Sequence, residues 1–378
     1  MLDALEVDCA RLGASDDQIL DLDLEHPVSA EKTLAPQQLN SCPKKYPILT
    51  LPNEIVSEIF IHVLPVYPRC PSLTGLLSPT SLTHICTKWR EIALSTPALW
   101  RAIPLPDTDI SVERLAHIFD LWLKRSGSCP LSIGLDGECD GMDASDLLAS
   151  FIPYRWRWEY LKIVISSSHL AALEGGMPLL RHLNLELFSA TNDAVISDVP
   201  LLRSVVLNDI ATWKVTLPWA QVTSLALNRV HLHECVPILQ QTPNLVYCEL
   251  RLFFSDDDLG TDVLTLPCLE SLALNDPGHQ PLIPYLEAFV TPALHRLRVP
   301  ERFLGYSPIG TLQSFISKSG SKLQDIRITG DRALPKTFYR EAFRSVERLS
   351  FSRRYNDWMT CREDSAIESD SDSSGAEE

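Results

Sequence analysis

A short apolar pattern recurs at near-regular intervals along most of this chain, and it constrains the fold more than any other feature. The pattern is apolar-x-x-apolar-x-apolar, and its nine instances begin at Trp158, Leu180, Leu202, Val222, Leu245, Leu269, Leu294, Leu323 and Val346. Successive starts lie 20–29 residues apart. One such strand cannot bury its apolar side chains alone, so neighbouring copies must cover one another. The spacing therefore predicts stacked strands.

The period and the L-x-x-L-x-L core resemble leucine-rich repeats in a degenerate form. The resemblance implies an α/β fold in which a solenoid of parallel strands, with helices or irregular convex segments between them, spans residues 106–358. Prolines stand just before many of the strands. A turn that leads into a strand suits proline, because its nitrogen has no N–H to donate to a neighbouring strand. The alternative is a set of unrelated strands in another α/β domain.

The segment Pro47–Leu105 has a helical pattern instead. Leu51-Pro52 predicts a helix start with proline at the first helical position. One i, i+4 column of that helix holds Ile55, Ile59 and Val63, and the next holds Val56, Phe60 and Leu64. A second short helix is expected from Leu82 to Ile92, and a third turn is expected at Leu99-Trp100.

The motifs of this segment resemble the F-box, and its fungal branch in particular. They are Leu-Pro-x-Glu-Ile with Ile-Phe, then Ile-Cys-x-x-Trp-Arg, then Leu-Trp. The resemblance implies a three-helix module at residues 47–105 that docks on the Skp-family adaptor of a cullin-based SCF ubiquitin ligase. The adaptor-binding residues that it implies are Leu51, Pro52, Glu54, Ile55, Ile59, Phe60, Ile61, Leu82, Ile85, Cys86, Trp89, Leu99 and Trp100.

One feature departs from the F-box pattern, and another fits a helix that faces a partner. Residues Pro65–Pro79 separate the first two helices by more than a compact F-box needs. Ile61 lies among polar residues of the first helix, where a side chain that faces a partner would lie. The alternative interpretation of the whole segment is an ordinary three-helix piece of a core, with nothing docked on it.

Strand residues between the repeated leucines should point away from the core, and in the later repeats they are rich in arginine. Guanidinium groups bind carboxylate and phosphate in a bidentate manner. This pattern indicates a target-binding face made of Tyr247, Arg251, Arg296, Arg298, Arg327 and Arg348. The alternative is that these are ordinary long cations on a solvated sheet.

The two ends of the chain differ in composition from its centre. Residues 1–46 form an acidic leader interrupted by prolines, and we expect partial disorder there. Residues 359–378 are acidic and serine-rich with almost no apolar side chain, and the composition predicts a disordered tail. Between the segment at 47–105 and the repeats, residues 111–127 predict a helix that ends at Gly127, followed by a strand at 129–135.

Charge and cysteine usage exclude several classes of protein. The net charge of −16 argues against a nucleic-acid-binding protein. Ten cysteines without a C-x-x-C pair favour reduced thiols over a disulfide scaffold. The acidic first residues do not resemble a signal peptide, and no apolar run is long enough to cross a membrane. We therefore expect a cytoplasmic or nuclear protein with no membrane partner.

Catalytic and metal-binding motifs are weak. Residues 136–141 resemble the first half of a calcium loop, but Leu147 stands where the loop needs glutamate. His231-x-His233-x-Cys235 offers three ligands, whereas a closed zinc site needs four. The chain has no phosphate-binding or hydrolase motif. The sequence thus predicts no cofactor, no metal and no enzymatic activity, although an unrecognised hydrolase stays a remote alternative.

Together these patterns favour a non-catalytic substrate receptor of an SCF-type ubiquitin ligase, with the helices on the adaptor and the repeats on a target protein. The alternative from another class is a leucine-rich-repeat scaffold for protein interactions that acts outside any ligase.

Overall fold

The computed structural model describes residues 50–104, 112–135, 144–255, 263–275 and 282–352. The predicted leader at 1–46, the predicted tail at 359–378 and the acidic turn at 136–141 lie outside the described residues.

Eleven strands form one parallel sheet, and their order in the sheet follows their order in the chain. They are β1 (Ala102–Pro104), β2 (Leu131–Leu135), β3 (Trp158–Ile165), β4 (His182–Leu187), β6 (Ser204–Asn208), β8 (Ser224–Val230), β9 (Tyr247–Leu252), β11 (Ser271–Asn275), β13 (Arg296–Pro300), β14 (Asp325–Thr329) and β15 (Arg348–Ser352). Each of the nine pattern instances contains one strand, which begins at the first apolar residue or two residues after it. The predicted strand positions are confirmed.

Two further pairs of short parallel strands lie in the connections. In one, β5 (Ala194–Val195) pairs with β7 (Val215–Thr216), and in the other β10 (Leu264–Thr265) pairs with β12 (Phe289–Val290). The described residues also form nine α-helices: α1 (Asn53–Val63), α2 (Pro79–Thr83), α3 (Thr87–Leu94), α4 (Val112–Arg125), α5 (Ala144–Phe151), α6 (Asp209–Lys214), α7 (Leu232–Gln240), α8 (Pro308–Ser319) and α9 (Lys336–Ala342). The protein is thus a mixed α/β protein with a large parallel sheet.

Alternate residues of each strand face one apolar core. On β4, Leu183, Leu185 and Leu187 are buried, whereas the residues between them are partly exposed. This core is continuous from Val56 in α1 to Phe343 just after α9. The described residues from Leu51 onward belong to one compact unit. The helical segment and the sheet therefore share their hydrophobic stabilisation.

Two details of the helical segment differ from the sequence prediction. Pro52 has an extended backbone (ψ 147°) and occupies the N-cap position of α1. The first helical residue is therefore Asn53 and not Pro52. The expected second helix is divided into α2 and α3, because Cys86 is also extended (φ −160°, ψ 166°). The third turn is confirmed as a 3₁₀ turn at Pro97–Leu99.

The elements between the helices and the repeats follow the prediction. The helix expected at 111–127 is α4, and Gly127 after it has the positive φ (56°) that suits a helix end. The expected strand is β2, which pairs with both β1 and β3. Because β1 belongs to the same sheet, that sheet begins within the segment 47–105.

Candidate interaction surfaces

The first helix presents two apolar columns that have opposite environments. Val56 and Phe60 are each 1% exposed and lie in the core. Ile55, Ile59 and Val63 are 49%, 37% and 46% exposed. The ring of Phe60 meets the ring of Trp89 on α3 edge-on, with 4.9 Å between centroids. One column therefore holds α1 to the protein, and the other leaves three branched aliphatic side chains facing outward. We call Ile55, Ile59 and Val63 the apolar column.

The residues that the F-box resemblance implies for adaptor binding fall into three groups. Pro52, Glu54, Ile55, Ile59 and Ile85 are exposed. Leu51, Ile61, Cys86 and Trp89 are partly exposed, and all of these except Cys86 pack against the core. Phe60, Leu82, Leu99 and Trp100 are buried.

The buried group corrects the sequence prediction, because a side chain inside the core cannot contact a partner. Trp100 shows what these residues do instead. Its indole Nε1 donates to the carbonyl of Ala93 at 2.9 Å, its ring lies edge-on to Trp122, and the Arg125 guanidinium lies over it. The four buried residues hold the helices in place. Ile61 also differs from its prediction, since it packs partly against the core and does not stand free.

Several exposed apolar residues near the helices were missed as candidate contacts. Val66, Leu76 and Leu77 lie in the segment between α1 and α2, and all three are exposed. Val63 belongs to the same i, i+4 column as Ile55 and Ile59, but it is not among the contacts that the resemblance implies. Its i, i+4 spacing from Ile59 could have identified it, whereas no local pattern marks the loop residues.

The segment 65–79, which departs from the F-box pattern, attaches the helices to the sheet. Tyr67 donates a hydrogen bond of 2.9 Å to Oε2 of Glu159 on β3. Its ring packs edge-on against Tyr160 and lies 3.9 Å below the Arg101 guanidinium. Burial, followed by the hydrogen bond to Glu159, raises the pKa of the Tyr67 phenol. In addition, Ser132 Oγ on β2 donates to the carbonyl of Pro68 at 2.7 Å.

The second candidate surface is the face of the sheet opposite the core. Parallel pairing in register aligns its residues in rows that cross β9, β11, β13, β14 and β15. One row reads Tyr247, Ser271, Arg296, Asp325, Arg348, and the next reads Glu249, Ala273, Arg298, Arg327, Ser350. Arg251 pairs with Asn275 in a third row. The predicted target-binding residues Tyr247, Arg251, Arg296, Arg298, Arg327 and Arg348 thus lie on five neighbouring strands.

Arginines outnumber carboxylates on these rows, with Arg251, Arg296, Arg298, Arg327 and Arg348 against Glu249 and Asp325. We call the five arginines the arginine face. Both carboxylates already have partners. Glu249 is 3% exposed and accepts from Tyr247 Oη at 2.6 Å and Asn275 Nδ2 at 2.7 Å. Asp325 lies 3.6 Å from an Arg348 nitrogen.

Three arginines of the face have no partner within the described part of the chain. Within the described ranges no side-chain hydrogen bond or ion pair involves Arg251, Arg296 or Arg327, although Arg298 has a contact of its own. Arg296 is exposed and the other two are partly exposed. Adjacent Arg298 and Arg327 pair across β13 and β14, about 5 Å apart by strand spacing. Two cations on neighbouring strands attract an anion more strongly than a single arginine does.

The other candidate sites have structural explanations. His231 precedes α7, where its backbone N–H donates to Glu234 Oε2 at 3.0 Å, and its ring stacks on His233. Cys235 is buried and its thiol donates to the His231 carbonyl. In the described ranges no three histidine, cysteine or acidic side chains are grouped as metal ligands would be. Burial raises the pKa of the Cys248 thiol, so this cysteine lacks the thiolate character of a nucleophile.

No helix within the described ranges is long and apolar enough to cross a membrane. No protein-family model matches the chain, and a search of curated proteins finds none that matches it.

Proposed function

We propose that this protein is the substrate-receptor subunit of an SCF-type ubiquitin ligase. The apolar column of α1, with Ile85 between α2 and α3, would dock on the Skp-family adaptor. The face of the repeated sheet would hold a target protein. The chain would then act by position, because it raises the effective concentration of target lysines near the ubiquitin-charged enzyme.

The observation that carries the proposal is the exposure of Ile55, Ile59 and Val63 along one side of α1. A helix on the surface of a protein ordinarily turns its apolar side to the core and its polar side to water. On α1 two neighbouring columns are apolar, and only the column with Val56 and Phe60 is covered. Three aligned branched side chains on one helix suit a hydrophobic groove on a partner protein, which would bury them.

The sheet supports the second half of the proposal. Its repeated strands, read as a degenerate leucine-rich-repeat solenoid, present one residue of every two on a broad open face. The arginine face supplies directional donors for acidic or phosphorylated segments of a target.

The alternative is an interaction scaffold outside any ligase, and one observation favours it. Tyr67, Ser132 and the continuous core attach the helices firmly to the sheet, as expected if the helices only close one end of the repeats. In that case the adaptor would not bind, whereas proteins could still bind the sheet.

Co-purification with a recombinant Skp-family adaptor tests the proposal. We expect the full chain to retain the adaptor and Ile55→Glu with Ile59→Glu to lose at least tenfold in affinity, about 1.4 kcal/mol, because two carboxylates would enter an apolar interface. Both positions are exposed, so the fold should persist.

Val195→Glu with Trp213→Glu is the matched control, since both residues are exposed apolar side chains on other elements. This variant should bind the adaptor as the natural chain does. Adaptor binding that is absent from the natural chain, or equal in the α1 variant and the control, would remove the ligase proposal and leave the scaffold.

A further inference from the structure

The arginine face is a positive surface on a protein whose net charge is −16, and the same chain carries a concentrated acidic segment close to it. Residues 363–378 contain seven acidic side chains and no cation: Glu363, Asp364, Glu368, Asp370, Asp372, Glu377 and Glu378. We infer that this acidic segment binds the arginine face of its own chain and competes there with any acidic partner.

The chain connection makes this contact possible. Glu363 lies eleven positions after Ser352, the last residue of β15. Fully extended, these eleven Cα-to-Cα steps reach at most about 38 Å. Four strand spacings separate β15 from β9, which is about 19 Å across the sheet. The acidic segment can therefore reach every arginine of the face, from Arg348 at the near edge to Arg251 at the far one.

A second acidic stretch of the same chain could also bind the arginine face. Residues 1–25 contain eight acidic side chains and one arginine. They precede Leu51, and the first strand that follows Leu51 in the chain is β1. Ten strand spacings, or about 48 Å, separate β1 from β15. The longer span and the longer connection both lower the effective concentration of this leader at the arginine face.

The strength of the competition follows from the tether. A short flexible connection gives an effective concentration of about 1 mM. If the free segment binds with a Kd of roughly 1 mM, half of the faces are occupied and an added acidic ligand binds about twofold more weakly. Ser369 and Ser371 each precede an aspartate, and a phosphate on either would add about −1.5 to −2 charges. Phosphorylation would thus increase the competition.

The probe is a fluorescein-labelled synthetic peptide of residues 363–378, followed by fluorescence anisotropy at about 20 mM salt, where surface charges are least screened. Its partners are three full-length proteins. One is the natural chain, one has the seven acids of residues 363–378 changed to Gln or Asn, and one has seven acids of the leader changed in the same way (Asp3, Glu6, Asp8, Asp16, Asp17, Asp21 and Asp23). The two variants have the same net charge.

We expect the peptide to bind the chain with the neutral acidic segment at least twofold more tightly than the natural chain, and the leader variant to bind as the natural chain does. When Arg296→Gln and Arg327→Gln are added to the chain with the neutral acidic segment, peptide binding should weaken at least fivefold. Arg340→Gln with Arg344→Gln, two exposed arginines in and just after α9, should leave it unchanged.

Three results would overturn the inference. Equal affinities for the natural chain and the chain with the neutral segment would mean that no competition exists, including the case in which the peptide binds neither. An equal gain from the leader variant would mean that only net charge matters. Equal peptide affinities of the Arg296/Arg327 and Arg340/Arg344 double variants would mean that the peptide binds outside the arginine face. None of these results bears on adaptor docking, which involves α1.

Discussion

Tyr67 donates a 2.9 Å hydrogen bond to Glu159, although the two residues are 92 positions apart in the chain. The other oxygen of the same carboxylate lies 3.2 Å from Nε of Arg181, which precedes β4. Glu159 thus joins the segment between α1 and α2 to two neighbouring strands. A hydrogen bond to a charged acceptor in a partly buried site contributes more to stability than an exposed ion pair does.

Replacing this tyrosine should therefore weaken the attachment of the helices to the sheet. Tyr67→Phe keeps the ring contacts with Arg101 and Tyr160 and removes only the hydroxyl. We expect the free energy of unfolding to fall by about 1–2 kcal/mol, measured by urea denaturation at pH 7. Tyr306→Phe, at an exposed tyrosine, is the control and should change it by less than about 0.5 kcal/mol. Equal urea midpoints for the two variants would contradict this role of Tyr67.

The strands could be predicted from the sequence because their signal is local and repeated. Leu183, Leu185 and Leu187 alternate with polar residues, and the same spacing recurs in each repeat, so both the strand and its buried side are encoded within six residues. In-register parallel pairing then follows, which is why the arginines predicted for one face do lie in rows.

The candidate contacts of α1 could be predicted only in part. Its two columns are equally apolar, so no local rule decides which of Ile59 and Phe60 faces inward. The packing of Phe60 on Trp89 decides it, and that contact joins residues on different helices. The F-box resemblance likewise implies contacts for Leu82, Leu99 and Trp100, but it does not tell whether these side chains touch a partner or the core. The contact between Tyr67 and Glu159 has no sequence signal at all.

Stability should fall in alkaline solution because of a buried tyrosine near the end of the sheet. Tyr339 on α9 is fully buried, and burial first, with the nearby Glu301 carboxylate second, raises its pKa above the ordinary value of 10.0. The unfolded chain releases this proton near pH 10 and the folded chain keeps it. The folded state thus binds more protons above pH 10, so Tyr339 lowers the free energy of unfolding there and contributes no pH dependence below about pH 9.

Urea midpoints measured between pH 8 and 11 test this dependence. Tyr67 and Cys248 contribute in the same direction, since their pKa values are also raised. We therefore expect Tyr339→Phe to reduce the alkaline loss without abolishing it, whereas Tyr306→Phe should leave the pH profile of the natural chain unchanged. A profile of Tyr339→Phe that coincides with that of the natural chain would show that this phenol titrates alike in both states.

Two asparagines at equivalent positions of neighbouring strands should differ sharply in their contribution to stability. Asn208 and Asn228 pair in register on β6 and β8, and both are buried. Asn208 Nδ2 donates to the Leu187 carbonyl at 2.8 Å, and its Oδ1 accepts from the N–H groups of Leu187 at 3.1 Å and Ala211 at 3.0 Å. Asn228 Oδ1 has no hydrogen-bond partner among the described residues.

Asn208→Ala would leave the Leu187 N–H and carbonyl unpaired in the core and remove the cap of α6, at a cost of about 3 kcal/mol. Asn228→Ala removes a buried oxygen that is already unpaired, so it should cost less than about 1 kcal/mol. The two variants remove the same atoms from the same row of the sheet, and urea denaturation at pH 7 compares them directly. Equal losses would mean that burial of the amide, and not its hydrogen bonds to β4 and α6, determines what each asparagine contributes.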